Sequence, residues 1–325
     1  MERWQLTARA MVLAAIRLLA GPVCALSAGY ALWACLRGHV GELIQVSARP
    51  QAGALLAAAL AAEFCGLYLS AQAFRQAASC LGSPLGQVAG LRIFSAAMLG
   101  KYVPGPTWSA VASVRLGKAA GVPSGRMVAI YLLSSAVALV TAVTAGLLAA
   151  PSLLGMRLLW LLPVPAAGLL LICRPRVVVR LAEVVARLRG RGPQVGQITP
   201  AYVRRGTLLE LGSWLIGGLH LWLIVRVLGD ASLASVPLCL GAFALATEAG
   251  AVAMIAPDGL GVREAVLMAA LSRVLPWPQA AAAVLASRVC CTVAEILGSG
   301  LVFTLTRRRR EDLSARLRPA QGGTS

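Results

Sequence analysis

The stretch Pro257-Asp258-Gly259-Leu260-Gly261-Val262-Arg263-Glu264 sets a helix breaker, two glycines and three charged side chains inside an otherwise apolar region. Proline and glycine interrupt a helix and free backbone N–H and C=O groups. At membrane depth such groups persist only where they are buried in protein or line a wet cavity. Each charge costs about 2.5–3.5 kcal/mol at the centre of a membrane helix. Asp258, Arg263 and Glu264 must therefore pair or face a polar cavity. Asp258 also stands just ahead of a new helix start, where the helix dipole favours a carboxylate. Two roles fit: an internal arginine–carboxylate pair that pins the break, or a site for a charged ligand.

A second broken stretch reads Lys101-Tyr102-Val103-Pro104-Gly105-Pro106-Thr107-Trp108. Lys101, with Arg92 and Arg115, has the charge to hold a phosphate. Tyr102 and Trp108 suit the headgroup level of a bilayer, either as ligand contacts or as interface anchors. Further ionisable residues lie within apolar runs: Glu63, Glu210, Glu248, Arg288 and Glu295. Arg288 and Glu295 are two helical turns apart and share a face. Arg226 and Arg273 lie near span ends and read as snorkelling side chains. The candidate headgroup-binding set is thus Arg92, Lys101, Tyr102, Trp108, Glu248, Asp258, Arg263, Glu264, Arg288 and Glu295. Pro104, Gly105, Pro257, Gly259 and Gly261 are the residues that break the helices.

Enzyme signatures are missing from the sequence. It has no G-x-S-x-G, no H-E-x-x-H and no Walker phosphate loop, so neither a catalytic role nor ATP-driven transport by this chain is expected, and no cofactor is implied. Among the eight cysteines there is no C-x-x-C pair, and the two histidines, His39 and His220, are far apart. Both residue types read as packing residues, with no metal site expected.

These residues must be positioned by membrane helices. Of 325 residues 58% are hydrophobic and 13% charged, with a mean hydropathy of +0.78; a soluble domain carries about a quarter charged residues. The apolar residues form runs of about twenty, enough to cross a hydrocarbon core about 30 Å thick. Strand-like alternation is absent. The fold class is an all-α integral membrane protein. Six runs read as full spans: Leu18–Leu36, Ala52–Phe74, Met127–Ala150, Leu153–Cys173, Leu208–Leu228 and Ala280–Leu305. The basic N-terminus reads as the flank of a retained first span, not of a cleaved signal.

The net charge of +18 is explained by topology and by attraction to anionic headgroups, not by nucleic acid. Basic residues crowd the 174–205 loop, the Arg115–Arg126 segment, the N-terminus (Arg3, Arg9) and the tail after Leu305. All of them fall on the cytoplasmic side only if each broken stretch enters and leaves the membrane on one face. The expected topology is therefore six spans plus two re-entrant hairpins in the plasma membrane, with both termini cytoplasmic. Residues 1–306 form the membrane domain and 307–325 a basic tail. Units 52–126 and 208–275 read as inverted repeats, each a span followed by a broken stretch, with Glu63 and Glu210 in corresponding spans. Paired breaks of this kind mark mid-membrane sites in transporters.

Tyr102-Val103-Pro104-Gly105 and Pro257-Asp258-Gly259-Leu260-Gly261-Val262-Arg263-Glu264 together resemble the flippase-like membrane region of the lysylphosphatidylglycerol synthase family, with its Y-(L/V)-P-G and P-G-G-L-G-x-R-E segments. Asp258 stands where that pattern has glycine and adds a negative charge where an anionic headgroup would approach. The resemblance implies lipid translocation between leaflets, or handling of a lipid-linked substrate, with a partner synthase or glycosyltransferase. The sequence closes on a short basic tail, so the aminoacyl transfer of full-length synthases is not expected. The leading expectation is a lipid flippase or transporter acting on an anionic phospholipid or lipid-linked headgroup. The alternatives are a membrane-embedded glycosyl- or lipid-transferase acting on polyprenyl-phosphate substrates, and a non-catalytic scaffold for a synthase.

Overall fold

The computed structural model describes residues 50–103, 107–147, 149, 199–229, 232–253 and 257–316, with five isolated positions between 166 and 176. The expected spans Leu18–Leu36 and, for the most part, Leu153–Cys173 lie outside the described residues. So do Arg3, Arg9, most of the arginine-rich loop, Pro104, Gly105 and residues 317–325.

Every described element is helical. In chain order they are α1 (Ala52–Cys80), α2 (Gln87–Gly100), α3 (Trp108–Ala119), α4 (Ser124–Gly146), α5 (Pro200–Leu228), α6 (Val236–Ala253), α7 (Val262–Leu271) and α8 (Trp277–Arg316). Proline and glycine punctuate them. Pro123 precedes α4, Pro200 opens α5 at its first turn, where its missing N–H costs nothing, and α5 stops at Gly229. Five helical segments are long and apolar enough to cross a membrane: α1, α4, α5, α6 with its preceding turn (Leu233–Ala253), and α8 as far as Arg307. Four of them overlap expected spans. The fifth, α6, is the first arm of the second broken stretch.

The shorter helices do not reach across. At 1.5 Å per residue, the fourteen residues of α2 and the ten of α7 extend about 21 Å and about 15 Å, short of the ~30 Å core. α2 packs on α3 across the first break, and α6 packs on α7 across the second. The two reversals are built alike. A Cβ on Gly100 would stand 2.8 Å from Ser109 Cα, and one on Gly250 would stand 3.1 Å from Gly259 Cα. In each, a glycine of the first arm lets the chain return against it nine positions later.

Among the described residues the most extensive helix pairing is that of α1 and α5, two helices of 29 residues each. They run antiparallel. Gly66 meets Gly217, Ser213 Oγ donates to the Gly66 carbonyl at 2.8 Å, and Ser70 Oγ lies 3.1 Å from both Glu210 carboxylate oxygens. A Cβ on Gly66 would stand 2.8 Å from Gly217 Cα, so the small residues permit the approach, as at other membrane helix contacts. Around α5, Phe243 of α6 packs edge-on against Trp214 and His220, and Trp214 Nε1 donates to Thr141 of α4 at 3.0 Å. A second apolar cluster, with Phe74, Ile93, Met127 and Ile130, joins α1, α2 and α4.

α8 shows the inverted amphipathy of a membrane helix. Val289, Val293, Ile296, Leu297 and Leu301 are exposed. Arg288, Cys291, Thr292 and Glu295, spaced at three and four residues on the other face, contact the protein. The helix continues through the basic run that begins at Arg307, to Arg316.

Candidate functional site

The second break is a sequence of left-handed residues. Asp258 has φ 51, Gly259 φ 64 and Gly261 φ 89. Glycine takes this conformation freely, and aspartate is among the few other residues that tolerate it. Gly259 cannot carry a side chain for a second reason: a Cβ there would collide with the backbone of Gly250. Beyond the break, α7 begins at Val262, and Glu264 caps it by accepting the Gly261 amide at 2.7 Å.

The first break meets the second directly. The Asp258 amide donates to the Lys101 carbonyl at 3.1 Å, and Lys101 Nζ pairs with Asp258 Oδ1 at 2.9 Å. From this joint a chain of opposite charges extends to α8. Lys101 Nζ also reaches Glu295 Oε1 at 2.6 Å, and the Tyr102 hydroxyl donates to Glu295 Oε2 at 2.7 Å. Arg288 bridges Asp258 Oδ2 at 2.9 Å and Glu264 Oε1 at 2.7 Å. Two cations are thus shared among three carboxylates. The carboxylates are nearly enclosed, while Lys101 is 25% and Arg288 15% exposed. The site is a set of charge-assisted bonds in which the cations are the more exposed partners.

A family model described as the lysylphosphatidylglycerol synthase TM region matches residues 17–298. The chain belongs to this family. No curated protein matches it. With five membrane-length helices among the described residues, membership establishes a multi-pass membrane protein with a membrane-lipid-related role. The two breaks that carry the resemblance also hold the ion pairs of Lys101 and Arg288.

Of the residues singled out from the sequence, Lys101, Tyr102, Asp258, Glu264, Arg288 and Glu295 form one network. Arg263 is its neighbour but not a member. It is 3% exposed, its Nη2 donates to Cys291 Sγ at 3.1 Å, and its guanidinium lies 5.4 Å from the Phe243 ring centroid. The arginine that ties the break's carboxylates together is Arg288. Arg92 lies elsewhere, over the Phe303 ring at 6.0 Å. Trp108 is 45% exposed at the start of α3, and Glu248 is half-buried on α6; neither belongs to the network. Pro104 and Gly105 lie outside the described residues.

A second polar cluster lies where α1, α5 and α8 meet. Glu63, His220 and Cys291 are buried, and one ligand atom from each lies within 4.8 Å of the others. His220 Nε2 is 2.8 Å from Ser287 Oγ and 3.7 Å from Cys291 Sγ. Glu63 Oε2 stands 3.2 Å from His220 Nδ1, yet it makes no hydrogen bond, because that ring nitrogen is directed to the Gly217 carbonyl at 2.5 Å. Sequence spacing gave no sign of this cluster. Its members come from three helices far apart in the chain, and the only hint was a glutamate and a histidine within apolar runs.

Proposed function

We propose that the protein moves a phospholipid or lipid-linked headgroup between leaflets, the headgroup passing through the ion-pair network at the joint of the two breaks. The observation that carries this reading is that Lys101 and Arg288, both partly exposed, are held by three carboxylates at that joint. A phosphate presented there exchanges one anionic partner for another. The cations are then never left bare in a low-dielectric site, where an unpaired charge is most costly. The released carboxylates can accept an amine-bearing headgroup. The acyl chains stay in lipid along the apolar outer faces. Antiparallel α1 and α5, each followed by a broken helix pair, support an inverted-repeat arrangement of the kind that places transporter sites near mid-membrane.

In this reading the two breaks are re-entrant, the termini are cytoplasmic and the membrane is the plasma membrane. The reaction makes no bond, so polyprenyl-phosphate sugars incubated with the protein are expected to return unchanged. The test is reconstitution into vesicles with head-labelled phosphatidylglycerol, a zwitterionic lipid and a polyprenyl-phosphate probe. An impermeant quencher is then added outside. Quenching beyond the outer-leaflet fraction is expected for the anionic probes. Quenching limited to that fraction for every probe, with folded protein, would refute the proposal.

A further inference from the structure

The carboxylate oxygen Glu63 Oε2 is buried and has no hydrogen-bond donor. Such groups are rare in folded proteins. The oxygen is aimed at a histidine and a cysteine that are themselves buried, His220 at 0% and Cys291 at 2% exposure. We propose that Glu63, His220 and Cys291 bind a divalent transition-metal ion, with zinc best suited to the donors.

The donor set carries the choice of ion. Thiolate, imidazole and carboxylate together favour zinc over magnesium or calcium, which take oxygen ligands. Donors about 2.0–2.3 Å from a tetrahedral ion stand roughly 3.3–3.7 Å from one another. Glu63 Oε2 lies 3.2 Å from His220 Nδ1, and Cys291 Sγ lies 3.7 Å from His220 Nε2; with one donor atom from each residue the full set lies within 4.8 Å. Closing it on one ion requires the imidazole to turn until a single nitrogen serves both neighbours. The surrounding contacts are those a metal site uses. With Nδ1 on the ion, its contact with the Gly217 carbonyl is given up, and Nε2 donates to Ser287 Oγ, 2.8 Å away. Arg263 donates to Cys291 Sγ at 3.1 Å, an outer contact suited to a thiolate. Three protein ligands leave the fourth coordination place open. The ion would tie α8 to the α1–α5 crossing and, through Arg263, to the second break. This inference is independent of lipid movement.

The test is the metal content of the full chain, purified in detergent without chelator, followed by cobalt titration of the stripped protein. About one ion per chain is expected, with a thiolate-to-cobalt charge-transfer band. The Cys291→Ser chain should lose that band, and Glu210→Gln, a buried carboxylate change outside the cluster, should keep it. Zinc added back to stripped wild type should raise its Tm, a readout that needs no variant to fold. The proposal is overturned by monodisperse wild type that carries less than roughly a tenth of an ion per chain and gives no cobalt band. It is equally overturned by a Cys291→Ser chain whose band is unchanged.

Discussion

Lys101 and Asp258 join the two helix breaks twice, through the 2.9 Å ion pair of their side chains and through the 3.1 Å bond from the Asp258 amide to the Lys101 carbonyl. The backbone bond satisfies groups that the breaks would otherwise leave without partners. The ion pair settles a lysine and an aspartate that the bilayer would otherwise penalise by several kcal/mol.

The Lys101–Glu295 contact at 2.6 Å is expected to be energetically coupled. In a cycle of Lys101→Met, Glu295→Gln and the double variant, the coupling should be about 1–3 kcal/mol. It is read from the reversible unfolding free energy in detergent. Additive single effects would show that the contact contributes nothing.

Asp258 holds a left-handed conformation that glycine takes at no cost, and it occupies two cations. Asp258→Gly should therefore keep the fold, because relief of about 1 kcal/mol of backbone strain partly offsets the lost pairs. With Lys101 and Arg288 each left with one carboxylate partner in place of two, the rate ratio of anionic to zwitterionic lipid in the vesicle assay should rise several-fold. An unchanged ratio would remove Asp258 from headgroup selection.

Gly259 is constrained by both its φ of 64 and its contact with Gly250. Gly259→Ala is expected to destabilise the protein by about 2–4 kcal/mol. Gly53→Ala, at a helical position with open space around it, should be neutral or stabilising by up to about 1 kcal/mol. Thermal unfolding of the two variants side by side checks this.

The membrane class and the four overlapping spans were legible because apolar runs of about twenty residues encode a bilayer crossing directly. Pro257, Gly259 and Gly261 likewise announce a break wherever they occur. Partner choice was not legible. Arg263 sits beside Glu264 in sequence, yet helix geometry turns it away to Cys291, and Arg288 comes from α8 to hold that carboxylate. Arg92 and Lys101 are near in sequence, but α2 ends between them, so only Lys101 reaches the joint. Glu63 and His220 meet only because Gly66 and Gly217 let α1 and α5 approach closely.

The most direct measurement compares lipid movement by wild type, Lys101→Met, Arg288→Met and Arg226→Met in the same vesicle assay. Arg226 is exposed on α5 beside Trp222, apart from the network. Anionic-lipid movement is expected to fall at least tenfold in the two network variants, a change of about 1.4 kcal/mol or more in barrier, and to stay at the wild-type rate in Arg226→Met. Network variants that move lipid as fast as wild type would contradict the account.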